Sequence, residues 1–130
     1  MEKSQPALPA VLVFVIAVAA WAVPGAGHLL LRRWGRAAVF FLGVSVLALL
    51  GLALRGFVFS SQPVDAFELL GFLSNVGAGG YYYIAMHFAR VPSDISRAAG
   101  DYGTRFFAAA GVLNLLCVID AVNIAGGRKE

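Results

Sequence analysis

A chain of 130 residues has room for one domain, and this one is 60% hydrophobic with only 13% of its residues charged, about half the charged share of an ordinary soluble domain. A soluble protein so small has too little interior for that much apolar surface, and a mean hydropathy of +0.80 points to lipid as the solvent. The net charge of +3 does not mark a nucleic-acid binder, because the basic residues stand at the ends of apolar runs, where membrane proteins place them.

Four apolar runs approach the roughly 20 residues that a helix needs to cross about 30 Å of hydrocarbon. They cover about residues 8–31, 37–59, 66–89 and 106–125. Barrel strands would alternate apolar and polar residues. Continuous runs leave each segment to satisfy its own backbone as a helix. The sequence therefore predicts an all-α fold: a single membrane domain, residues 1–130, built as a bundle of four transmembrane helices.

The first run has the length of a signal-peptide core from Val11 to Ala20. Glu2 and Lys3 cancel, however, and the apolar run resumes at Leu29, so an uncleaved span is expected. Within it, Pro24 removes a donor and clashes with the preceding turn, while Gly25 and Gly27 permit unusual backbone angles. The helix is expected to kink or break near Pro24, with His28 satisfying a carbonyl freed by the break. Trp34 then suits an interface, and Arg32, Arg33 and Arg36 suit anionic headgroups.

The connection after the second run is Ser60-Ser61-Gln62-Pro63, and Asp65 is placed to cap the third helix. On the third run Gly71, Ser74, Asn75, Ala78, Gly79, Tyr82 and Met86 share one helical face. Small residues let helices approach closely, and Asn can bond across. Tyr81, Tyr82 and Tyr83 read as an aromatic belt with one core tyrosine. The third connection runs from Arg90 to Arg105 and holds the turn formers Pro92, Ser93, Asp94, Gly100, Asp101 and Gly103, with Ser93 or Asp94 capping a short surface helix over residues 95–99.

The fourth run carries a comparable row, Gly111, Asn114, Val118, Ala121 and Ala125, expected to pack on the third run or on another chain. Cys117 reads as a small core residue. Asp120 is the one acid well inside an apolar run, with Asn123 three residues on. In a four-span topology it is expected to pair with Arg55; a proton or ion relay is the alternative. That topology groups Lys3, Arg55, Arg128 and Lys129 on one side. Arg32, Arg33, Arg36, Arg90, Arg97 and Arg105 fall on the other. The excess predicts a multi-pass inner-membrane protein with both termini outside the cytoplasm.

Residues Pro24-Gly25-Ala26-Gly27-His28-Leu29-Leu30-Leu31, followed by arginines and Gly35, resemble the glycine-rich turn of the TM-two (two-transmembrane-helix) domain family. Members carry a Gly-x-Gly-x-His-x-Phe-Tyr-Leu-Gly type segment between two helices and an Asp late in the partner helix, where Ile119-Asp120 stands here. Leu30 and Leu31 replace the usual aromatics, and two further spans separate the motif from Asp120. The whole chain also resembles small, uncharacterised bacterial membrane proteins. They share an Ala-Trp-x-x-Pro-Gly-Ala-Gly-His start and a late segment matching Asn114 to Arg128. That resemblance implies a membrane location and no particular activity.

The sequence has no Gly-x-Ser-x-Gly elbow, phosphate loop or His-Glu-x-x-His. Its polar residues spell no nucleophile–base–orienter set. The reading is a non-enzymatic scaffold or accessory subunit of a larger membrane complex, without metal or cofactor. Its partners are the lipid bilayer and other membrane subunits or a second copy. A small transporter or ion-conducting oligomer using Asp120, Asn75 and Asn114 is the alternative. A weaker one is a haem- or chlorophyll-type pigment held by His28 and His87.

Overall fold

A computed structural model describes residues 6–59, 61–88, 92–94 and 96–129. It contains α1 (Ala10–Ala22), α2 (Ala26–Leu30), α3 (Trp34–Ala53), α4 (Ala66–Gly77), α5 (Gly80–Phe88) and α6 (Ala98–Ala125), and no strand among the described residues.

The all-α expectation is met, and of the four expected spans two appear as single long helices. Among the described residues only α3 and α6, with 20 and 28 residues, are long and apolar enough to cross a membrane. The first and third runs each break in two. The 13 residues of α1 and 12 of α4 make helices about 20 and 18 Å long, short of the roughly 30 Å of hydrocarbon.

Both breaks fall at a Gly-Ala-Gly triplet, 25–27 and 77–79. In the first, Val23 is extended, Pro24 follows, and Gly25 takes a φ of +82°. In the second, Gly79 takes a φ of +62°, and a Cβ there would collide with the carbonyl oxygen of Trp21. An L side chain disfavours that backbone region. The stripe from Gly71 to Met86 therefore does not continue along one helix: Tyr82 and Met86 lie on α5, beyond the turn.

Contacts fix the direction of each element. Arg36 meets Asp120, Gly43 lies against Leu113, and Gly51 lies against Gly103 and Phe107, so α3 and α6 run antiparallel. We call the end where α6 stops the near end and the end where it starts the far end. The Leu8 N–H donates to the Ala125 carbonyl at 2.9 Å, and the Trp21 carbonyl meets Asn114. Thus α1 runs from the near end to half height. Then α2 turns back, with Gly27 against Ala20 and Ala121 and Leu31 on the Ile16–Ala125 cluster. The second hairpin enters from the far end. Gly71 of α4 packs on Phe59, and Gly77 reaches Gly111 and Leu115. Along α5, Tyr81 meets Ser45, and the chain at Pro92 and Asp94 bonds to Arg55.

The order of hairpin then long helix thus occurs twice, in opposite directions. The packing is not two-fold symmetric, because α6 holds the first helix of both hairpins. The tips meet where Trp21 Nε1 donates to the Val76 carbonyl at 2.9 Å.

The last helix begins at Ala98, eight residues before the expected start. Gly100 and Gly103, read as turn formers, are buried helical residues, and the Gly103 backbone crosses Gly51 too closely for a side chain. The exposed face is supported by Arg105 and Asp101, paired at 2.8 Å one turn apart. Residues 98 and 99 of the surface helix expected over 95–99 belong to the start of α6, and no side chain caps it. Asp65 caps α4 by accepting from the Glu68 N–H at 2.8 Å. Ser60, Lys3 and Arg90 lie outside the described residues.

The arrangement regroups the charges. Arg36 and Lys129 both bind Asp120, so the first connection and the C-terminal segment share the near end with Arg32, Arg33 and Arg128. Arg55, Arg97 and Arg105 belong to the far end.

Candidate functional site

Two polar centres lie inside the bundle. The first surrounds Asp120. Its Oδ2 is 2.9 Å from His28 Nε2 and 3.0 Å from Arg36 Nη1, and its Oδ1 accepts from Lys129 Nζ. The expected Asp120–Arg55 pair is therefore wrong. Arg55 stands at the far end, where its Nε donates to the Pro92 carbonyl at 3.0 Å. The broken first helix returns α2 to the near end and brings His28 and Arg36 there instead.

His28 is fully buried and stacks on Phe40, with ring centroids 5.0 Å apart. It does not satisfy a broken-helix carbonyl: one ring nitrogen faces Asp120 and the other, Nδ1, is 3.6 Å from Cys117 Sγ. An ionised carboxylate only accepts, so Nε2 carries a hydrogen, and in the neutral ring Nδ1 accepts from the thiol. Cys117, His28 and Asp120 thus stand in the order of nucleophile, base and orienter, a set that the sequence reading missed. Their spacings of 92 and 89 residues leave no local pattern to find. Both Cys117 and His28 are sealed at 0% exposure. The groove of about 330 Å³ nearby, lined by Pro24, Gly25, Leu29, Trp34, Ala37 and other apolar residues, touches none of the three. In this geometry the set locks helices together. Asn123 takes no part in the cluster; its carbonyl accepts from the Arg128 N–H at 2.9 Å.

His87 lies on α5, exposed, with Nδ1 3.0 Å from the Tyr83 carbonyl. It is not brought near His28, so the two imidazoles cannot share a haem or pigment. Among the described residues no group of three His, Cys, Asp or Glu side chains gathers to hold a metal.

The second centre is the hairpin junction. The last carbonyls of a helix have no partner within it, and α1 and α4 both end here. Asn114 on α6, fully buried, donates from Nδ2 to the Trp21 carbonyl at 2.9 Å and to the Gly77 carbonyl at 2.8 Å. One amide nitrogen with two hydrogens therefore holds both ends. A Cβ on Gly111 would overlap the Ser74 carbonyl oxygen, and Ala78 is fully buried beside it. Asn75, in the last turn of α4, is also fully buried. Among the described residues neither its Oδ1 nor its Nδ2 has a hydrogen-bond partner, and neither does Asn114 Oδ1.

Residues 15–130 match a family of unknown function, DUF6677. No curated protein and no solved structure matches the chain significantly. The matched stretch holds both hairpin tips, both long helices and the Asp120 cluster, and the chain belongs to this family, DUF6677.

Proposed function

We propose that the chain is an integral membrane protein that handles a small ion at the junction of its hairpins, as a compact carrier or conducting subunit rather than an enzyme. The observation that carries this reading is the convergence of two half-length helices, entering from opposite ends, on a buried junction with unpartnered carboxamide oxygens. Broken backbone at membrane depth is tolerated where protein encloses it or water reaches it, and discontinuous helices of this kind form ion sites in transporters.

A bilayer as surroundings is supported by the polarity of the molecule. His28, Asn75 and Asn114 are buried, while Val11, Phe14, Val39, Leu42 and Leu70 are exposed. Only 28% and 39% of the most apolar windows of α3 and α6 are buried, far less than core helices of a soluble protein would be. The near end carries five described Arg and Lys residues and the far end three, which favours the near end, where the described residues begin and end, in the cytoplasm of an inner membrane. This orientation reverses the one expected from four spans.

Reconstitution in liposomes tests the reading: alkali-ion or proton flux is expected from the wild type, and loss of flux from Asn114→Leu. Asp120, already held by Arg36, Lys129 and the His28 imidazole, is poorly placed to act as the relay. An accessory subunit is the second reading, favoured by the closed packing of the tips, where Gly79 and Gly80 abut Trp21 and Ala22. Absence of flux together with a stoichiometric partner in a mild-detergent pull-down would put that reading first.

A further inference from the structure

We infer that the hairpin junction binds a monovalent alkali cation, through the side-chain oxygens of Asn75 and Asn114 and the last-turn carbonyls of α1 and α4. The inference rests on the ion-handling reading above and names its site.

Two independent observations lead to it. The first is electrostatic. A helix C-terminus carries about half a negative charge, and two such ends converge here, one from each end of the bundle. The positive start of α5 at Gly80 offsets part of this, and no cationic side chain stands among the residues that contact the junction. Asn114 and Trp21 supply neutral N–H donors to three of the carbonyls, which satisfies hydrogen bonds without supplying charge.

The second is the unpartnered amide. Asn75 is fully buried with both polar atoms unpartnered, and Asn114 keeps a free Oδ1. A buried polar group without a partner costs roughly 1–3 kcal/mol, so an occupant that takes these atoms is favoured. Asn75 immediately precedes Val76, whose carbonyl Trp21 binds, and lies two residues before Gly77, whose carbonyl Asn114 binds. Neutral oxygens and helix ends suit sodium or potassium. A divalent ion would want carboxylates, and the nearest on α6, Asp120, is six residues from Asn114, about 9 Å along the helix. Asn75 Nδ2 is then left to a water of the ion's shell. The competing occupant is water alone, which commonly fills buried polar sites.

The test is the melting of the purified full chain in detergent, in sodium, potassium and choline chlorides at equal ionic strength. The melting temperature is expected to rise with the logarithm of the concentration of one alkali salt, as ligand linkage requires, and not with choline. Asn75→Ala should abolish that dependence, and Asn75→Asp should keep it. Equilibrium dialysis of the wild type with radiolabelled sodium, and with rubidium standing for potassium, reads the site without a variant; saturable binding is expected. Equal melting in all three salts with no bound label would overturn the inference in favour of water. Saturable binding without flux would keep the site and remove the carrier. Flux without saturable binding would do the reverse.

Discussion

His28 and Asp120, 92 residues apart in the chain, are joined by a 2.9 Å hydrogen bond that ties the returning half of the first hairpin to the last helix. The imidazole is fully buried, and the carboxylate side chain is 14% exposed. Lys129, by contrast, reaches Asp120 from a side chain that is 53% exposed.

That difference predicts unequal effects. A hydrogen bond to a charged group contributes roughly 1.5–3 kcal/mol, whereas exposed ion pairs contribute about 0–1 kcal/mol. His28→Ala also removes the stack on Phe40. It should therefore destabilise the protein by several times as much as Lys129→Ala, read as denaturant midpoints in detergent. Equal shifts would mean that the near-end cluster is solvated and weak.

Asn114→Ala should strand two buried carbonyls, those of Trp21 and Gly77. At roughly 1–3 kcal/mol for each orphaned group, it should rank among the most damaging single changes. Trp21→Phe removes one further bond at the same junction, so the double variant should fall short of the sum of the two. Strict additivity of the two melting shifts would show that the tips do not form one unit.

Glycine substitutions separate close packing from propensity. Gly111→Ala drives a methyl group into the Ser74 carbonyl and should push α4 off α6, with a large loss of stability. Gly35→Ala meets nothing within 4 Å and should stabilise α3 by about 0.5–1 kcal/mol. Thermal melts of the two variants should move in opposite directions.

Topology gives a direct contrast. Arg33→Cys and Lys129→Cys should be labelled by an impermeant thiol reagent from the same side, because the first hairpin returns to the end where it started. Four complete spans would put them on opposite faces. The native thiol, Cys117, is fully buried and should stay silent. Labelling of the two positions from opposite sides would refute the hairpin.

Composition alone called for an apolar, all-helical chain, and local chemistry marked the break at Pro24 and Gly25, because proline and glycine act on the backbone where they stand. Asp65 could likewise be placed at a helix start from its neighbours. The third run deceived because its face from Gly71 to Met86 keeps helical spacing across Gly79, and spacing does not report a single residue at positive φ. Gly100 and Gly103 deceived in the other direction: glycine serves a turn or a close crossing equally well, and only the approach of Gly51 decides. A hydropathy run records how apolar a segment is, not whether it crosses or turns back. The partners of Asp120 depended on that choice. Once α2 returned to the near end, His28 and Arg36 came within hydrogen-bonding distance and Arg55 was carried to the opposite end, because charges pair by distance in space and only the packed hairpins set those distances.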